Sequence, residues 1–399
     1  MVEEVFVEAE KVFVVGGEVE PPYFIGRETE IKKLTISILT QAQNNVVIGP
    51  RRIGKTSLLG NLKSSLDDRV LFVLINCREM MEPVDFFRIT TKSLVETYGE
   101  KHRIKGLARK FSGIFREKIT SAYGSLAEIG GSIEHVGKIY LRFRDRELNE
   151  QDLVTETFEF LENFSQETKE PIVIAFDEFQ ELKKFNGSIF NVLKSRMDKL
   201  PAVRYVFSGS SISLLHNVFL KPDSPLYLMA ARTELKPIEK KEVKKYIKSR
   251  LSTKNIEISE EALEEIYQLT GGFPFYFQKL GFLLYQNTVL EAKSQLGIED
   301  VNSAFAAMLE EFDSEFEARY TEKFSEQQKK VLKYLSSEKQ RRLSQIAQDM
   351  NTAASSLTTS MRDLHNTMTV NKPEEGLYEI TDNVFRLWIK INILGEAGD

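Results

Sequence analysis

The segment Val46-Val-Ile-Gly-Pro-Arg-Arg-Ile-Gly-Lys-Thr-Ser-Leu-Leu59 constrains this chain more than any other. It holds Gly-x-x-x-x-Gly-Lys-Thr from Gly49 to Thr56, preceded by an apolar run and followed by Ser-Leu-Leu. The order is strand, glycine loop, helix. Backbone N–H groups of such a loop converge on an anion, and the N-terminus of the next helix adds a favourable dipole. Lys55 is spaced to reach the outer phosphates of a nucleoside triphosphate, and the Thr56 hydroxyl to ligate Mg²⁺. The bland alternative is a glycine-punctuated turn between strand and helix. Strand and helix in register on either side favour the phosphate loop.

Phosphate binding becomes hydrolysis only with a group that holds the metal and one that activates water. The run Ile172-Val-Ile-Ala-Phe-Asp-Glu-Phe-Gln180 offers both, as a buried strand ending in two carboxylates. Asp177 is placed to hold Mg²⁺ through its water shell, and Glu178 to orient or deprotonate the attacking water. Acidic residues also suit the dipole of a helix start, which is the competing reading. A third apolar run ends in Phe207-Ser-Gly-Ser-Ser211. If that strand neighbours the P-loop strand, Ser208 or Ser210 at its tip can sense the terminal phosphate; otherwise they cap a turn.

Strands are expected at Val70–Ile75, Ile172–Phe176 and Val203–Phe207, with a weaker one near Thr233–Leu235. They are apolar throughout rather than alternating, as in a parallel sheet covered on both faces. With helical segments between them, the fold class is α/β: a parallel-sheet P-loop NTPase core, then a helical lid and a winged-helix domain. The expected boundaries are an N-terminal hairpin or extension over 1–22, the core over 23–236, the lid over 237–320 and the winged helix over 321–399. An insertion over 77–169 is expected to hold a helix (about 83–99), a basic helix (about 103–122), a turn at Gly130-Gly131, a strand pair over 132–144 and a helix (about 149–167). The C-terminal part reads as helices at Ser325–Leu335, Leu343–Met350 and Ala353–Met368, a turn at Asn371–Gly376 and a strand at Leu377–Ile380.

These motifs resemble the archaeal-type P-loop ATPase family, whose relatives are the STAND class and the Orc/Cdc6-like branch of AAA+ proteins. The resemblance rests on Gly-Pro-Arg-Arg-Ile-Gly-Lys-Thr-Ser-Leu, Ala-Phe-Asp-Glu-Phe-Gln and Phe-Ser-Gly-Ser. Phe24-Ile-Gly-Arg-Glu28, Gly271-Gly-Phe-Pro274 and the closing Tyr378–Trp388 segment fit it as well. It implies an ATPase that turns over slowly and binds ATP or ADP with Mg²⁺. Nucleotide would contact Gly49, Pro50, Arg51, Arg52, Ile53, Gly54, Lys55, Thr56 and Ser57, with Phe24, Ile25 and Arg27 near adenine. Pro274 would lie near the adenine or sugar, or simply open a helix. Arg232 either faces the phosphates or forms a surface ion pair. Arg51 and Arg52 either add charge near the nucleotide or contact a neighbouring domain.

The net charge of −5 gives no overall nucleic-acid signature. Local patches remain. Residues 321–370 carry eight Lys/Arg against five Asp/Glu, and Ala353–Arg362 is rich in hydroxyls with one arginine. Double-stranded DNA read through about 342–380 is one candidate partner; packing against the nucleotide domain or a protein is the alternative. Lys101–Lys118 is a basic amphipathic segment that can meet an acidic protein partner, nucleic acid or a membrane surface, or else is a solvated face. One cysteine, no long apolar run and an acidic N-terminus lead to the expectation of a soluble, cytoplasmic chain without disulfide or membrane span. The function expected is a nucleotide-driven switch. Its alternatives are a DNA-binding helper ATPase and a non-hydrolysing nucleotide-regulated scaffold.

Overall fold

The computed structural model describes residues 11–66, 69–103, 150–185, 188–197, 203–210, parts of 215–224, and 226–396. Two compact units result. One comprises Glu28–Ile48 and Leu58–Glu234; the other comprises Met1–Arg27, Gly49–Ser57 and Leu235–Asp399.

The first unit is built on a five-stranded sheet of β1 (Asn44–Ile48), β2 (Leu71–Asn76), β3 (Ile172–Asp177), β4 (Val203–Gly209) and β5 (Ala230–Glu234), in the order β2-β3-β4-β1-β5. Every pairing is parallel. This is the P-loop NTPase arrangement of the AAA+ type expected above. All six residues of β3 are buried, which is why its sequence shows no alternation. Helices α1 (Glu28–Thr40), α2 (Lys55–Leu66), α3 (Pro83–Lys101), α4 (Glu150–Thr168) and α5 (Ser188–Met197) accompany it. The α3 helix begins at Pro83, whose missing N–H costs nothing in the first turn, and the Asp85 carboxylate accepts from Met81 N and Glu82 N at 2.8 and 2.9 Å. Phe86 of α3 packs on Phe176 of β3 with ring centroids 5.8 Å apart, and Phe176 stacks in turn beside Phe207 of β4.

The second unit holds α6 (Lys240–Ser252), α7 (Glu260–Thr270), α8 (Pro274–Leu290) and α9 (Ile298–Lys323). A two-residue parallel pair, β6 (Glu257–Ile258) with β7 (Gln295–Leu296), ties the lid helices together. Gly271 ends α7 in the left-handed region at φ 59°, and its N–H closes on Tyr267 O, the glycine C-cap expected of a helix followed by Pro274. Then come α10 (Glu326–Ser337), β8 (Arg341–Arg342), α11 (Leu343–Asp349), α12 (Ala354–Asn366), β9 (Val370–Glu374), β10 (Leu377–Ile380) and α13 (Asn383–Trp388). The three short strands form an antiparallel sheet in the order β8-β10-β9.

Two stretches differ in detail from expectation. Over 1–22, where a hairpin or extension is expected, Val12–Val15 forms no strand. Side chains take its backbone groups instead: Arg250 donates to Val12 O and Lys11 O at 2.8 and 2.7 Å, and Gln278 Oε1 accepts from Val14 N at 3.4 Å. The turn expected over Asn371–Gly376 is mostly strand, because Val370–Glu374 pairs with β10 and only the Glu375-Gly376 corner turns, with Gly376 at φ 76°. Residues 1–10, most of the basic segment Lys101–Lys118, Gly130-Gly131, the strand pair over 132–144 and Ser211 lie outside the described residues.

Candidate functional site

The P-loop continues directly from Ile48, the last residue of β1. Arg52 and Gly54 both adopt positive φ, 68° and 91°, and so turn the chain tightly before α2. Gly54 is suited to that conformation, since a Cβ would be strained there. Lys55 is only 6% exposed, and its ammonium donates to Gly49 O and Pro50 O, both at 2.9 Å. Its charge therefore sits inside the curve of the loop. Arg27 is buried and donates through Nη2 to Ile53 O at 3.1 Å, so it braces the loop from behind. The Ser57 hydroxyl accepts from Val19 N at 3.1 Å. Thr56 and Arg51 are exposed; Phe24 and Ile25 are half-buried. Pro274 occupies the first turn of α8, and a Cβ on Gly54 would stand 3.8 Å from its Cγ.

Arg52 points into the second unit's helices. Its guanidinium carbon stands 4.7 Å from the Phe312 ring centroid, 4.9 Å from Phe275, 5.1 Å from Tyr276 and 5.6 Å from Phe316. It donates to Tyr276 Oη at 2.7 Å and pairs with Glu315 at 2.5 Å. Burial pulls its pKa down, but Tyr276, Glu315 and Asp382 outweigh burial and the pKa lies above its usual value. Burial and the neighbouring Asp382 push the Tyr276 hydroxyl well above the ordinary phenol range, so it stays a donor.

The acidic pair forms a separate constellation in the sheet unit. Asp177 closes β3 opposite Asn76 of β2, is 4% exposed, and accepts from Glu178 N at 3.0 Å. Glu178 leaves the strand in the left-handed region, φ 52°, which turns its side chain off the sheet before the 3₁₀ turn Phe179–Lys184. Three neighbours then hold its carboxylate. Arg78 Nη2 lies 3.0 Å from Oε1, Gln180 Nε2 donates to Oε2, and Ser210 Oγ donates to Oε2 at 3.4 Å. Ser208 is fully buried on β4 opposite Val47 of β1, and its hydroxyl has no hydrogen-bond partner among the described residues. Burial first, and then Asp177, push the nearby Cys77 thiol far up, so it is inert as a nucleophile.

Arg232 lies on β5 opposite Val46, two positions short of the strand end, exposed and ion-paired to Glu234 at 2.6 Å. Residue type alone assigns no role to Arg78 or Gln180. Gln180 stands at the end of the Asp-Glu-Phe-Gln run. Arg78 becomes meaningful only once β2 is known to flank β3, because that register brings the residues after Asn76 beside those after Asp177.

Residues 24–280, more than half of the chain, match the family described as "ATPase domain predominantly from Archaea". The chain belongs to that family. Among solved structures, the walker-type ATPase PABY2304 of Pyrococcus abyssi is similar with a TM-score of 0.68 at 20% identity, covering 96% of this chain and 100% of that one. The ORC2 protein of Aeropyrum pernix, solved as ADPNP–ADP complexes, is similar at 0.54 and 12% identity, with 96% and 98% covered. At such identities the likeness establishes the fold. No curated protein matches the chain. This archaeal-type ATPase is thus a nucleotide-binding P-loop ATPase, and it shares its fold with those two proteins. No helix among its described residues is long and apolar enough to cross a membrane.

Proposed function

We propose that this ATPase hydrolyses ATP with Mg²⁺ through Lys55, Thr56, Asp177 and Glu178, and uses its nucleotide state as a switch. The observation that carries the reading is the sheet order. β1, which feeds the P-loop, and β3, which ends in Asp177, flank β4 on either side, and all three are parallel. Their C-terminal ends therefore lie on one edge of the sheet, the edge where open α/β sheets bind ligands. The Thr56 hydroxyl and the Asp177 carboxylate are hard oxygen donors of the kind Mg²⁺ takes alongside phosphates and water. When bound, the ion neutralises charge on the phosphate oxygens. Lys55 supplies a cation to the outer phosphates. Glu178, held by Arg78 and Gln180, orients or deprotonates the attacking water. Ser208, buried with an unused hydroxyl beside the P-loop strand, supports a phosphate-sensing role.

The segment after α9 reads as a winged helix: α10, α11 and α12 with the β8-β10-β9 sheet as its wing. Its α12 exposes Ser355, Thr358, Thr359 and Arg362 while burying Leu357, Met361 and Leu364. That free hydroxyl-rich face favours a second reading, in which the switch is coupled to duplex DNA. Salt-sensitive binding to a labelled duplex would support it, and no binding at low salt would end it.

The metal reading is tested by titrating Mg²⁺ against phosphate release. Asp177→Asn is expected to need at least about tenfold more Mg²⁺ for half-maximal rate, the scale of one lost charge-assisted contact. Superimposable curves for parent and variant would contradict it.

A further inference from the structure

Arg52 is placed at some cost. A non-glycine residue at φ 68° is strained by on the order of 1 kcal/mol, and a guanidinium taken partly out of water loses hydration. A position of this kind persists only where its surroundings over-determine it. Here four aromatic rings, one of them the Tyr276 phenol, and one carboxylate surround the guanidinium, all of them on α8 and α9.

The phenol does not end the chain of contacts. The Tyr276 hydroxyl accepts from Arg52 and donates to Asp382 Oδ2 at 2.8 Å, and Arg319 Nη1 donates to the same oxygen at 3.2 Å. The other oxygen of Asp382 accepts from Phe385 N at 3.1 Å and so caps α13. That helix is bonded to the lid at two more points. Asn383 Nδ2 donates to Gln268 O and Leu269 O, at 2.8 and 2.9 Å. Trp388 donates through Nε1 to Asp313 Oδ1 at 2.8 Å. A continuous path of hydrogen bonds therefore runs from the middle of the Gly49–Thr56 loop to the cap of the C-terminal helix. Tyr276 and Asp382 are buried and Arg52 is half-buried, so losing one link leaves a buried polar group unsatisfied.

We propose that Arg52 is a positioning residue of the phosphate loop, and that the Arg52–Tyr276–Asp382 chain makes nucleotide affinity depend on the seating of α13. The inference rests on the P-loop reading above and names a regulation of that site. By linkage, whatever loosens α13 weakens the nucleotide, and nucleotide binding tightens α13. A partner that pulled on the C-terminal segment would release nucleotide by this route.

The chain carries one tryptophan, Trp388, 2% exposed and beside Phe385 with ring centroids 6.0 Å apart, so its emission reports the seating of α13 directly. The test measures two quantities in the full chain: affinity for a fluorescent ADP analogue, and the Trp388 emission change on adding unlabelled ADP. The variants are Tyr276→Phe, which removes only the shared hydroxyl, Asp382→Asn, Arg52→Met, and the double Arg52→Met/Asp382→Asn. The parent is expected to show a nucleotide-linked emission change. Tyr276→Phe and Asp382→Asn are expected to lose that change and to bind ADP at least about fivefold more weakly, the lower end of measured couplings. Adding Asp382→Asn to Arg52→Met is expected to weaken binding no further, since the link is already cut. Affinity within twofold of the parent in both Tyr276→Phe and Asp382→Asn would overturn the proposal. So would multiplying effects in the double variant, or an emission change that survives Tyr276→Phe. A parent that does not bind ADP removes the P-loop reading and the inference with it. A parent that binds while the variants keep its affinity removes the inference alone.

Discussion

Lys55→Met is the perturbation whose size follows most directly from the geometry. Methionine keeps most of the length and apolar stem of lysine, so the buried slot, 6% exposed, stays filled. What disappears is one cation and its donors. In the loop itself, Gly49 O and Pro50 O lose a shared partner at 2.9 Å each. At about 0.5–1.5 kcal/mol per hydrogen bond, the fold loses roughly 1–3 kcal/mol and remains assembled. Toward a triphosphate, the loss is a charge-assisted bond of about 1.5–3 kcal/mol. At about 1.4 kcal/mol per tenfold, ATP binding weakens by roughly 10- to 150-fold. Calorimetric titration with a non-hydrolysable ATP analogue reads this directly, and urea unfolding of the same sample confirms that the variant is folded. An affinity within twofold of the parent, in a folded variant, would refute the assignment of Lys55 to phosphate.

Gly281→Ala is expected to destabilise the fold although alanine is the better helix former. A Cβ there would lie 2.5, 2.7 and 2.9 Å from three carbons of the Phe13 ring, which is itself buried against Tyr246, and overpacking by about 1–3 kcal/mol outweighs a gain of about 0.5–1 kcal/mol. A higher urea midpoint for the variant would contradict this packing. Cys77 is expected to resist alkylation in the native state even at pH 9. Its folded pKa lies above the reference value of 9.0, so the thiol stays protonated where an unfolded one ionises, and native stability falls as pH rises past that value. Iodoacetamide labelling faster than global unfolding would count against its burial beside Asp177.

Much of the candidate site could be read from sequence because its motifs are local. Gly49–Thr56 and Asp177-Glu178 are each one contiguous stretch at the end of a strand, and the apolar runs before them announce buried parallel strands without reference to anything distant. The rest depends on partners far away along the chain. Arg52 meets Tyr276 and Glu315 across separations of 224 and 263 residues, so no window of sequence shows that it turns to the lid. Glu178 takes a left-handed backbone without being glycine, and nothing in its residue type announces that. Val12–Val15 has a strand's composition, but Arg250, 238 residues later, captures the Val12 carbonyl. The two-residue strands β6, β7 and β8 are too short to leave a periodic signal.

The proposal that Glu178 activates the water attacking ATP at Gly49–Thr56 is tested most directly by the hydrolysis step itself. Single-turnover hydrolysis of radiolabelled ATP, with enzyme in excess and Mg²⁺ saturating, compares the parent with Glu178→Gln. Glu178→Gln is expected to retain ATP binding and to hydrolyse at least about 100-fold more slowly, the scale of a lost general base. An unchanged single-turnover rate in a variant that binds ATP as the parent does would contradict it.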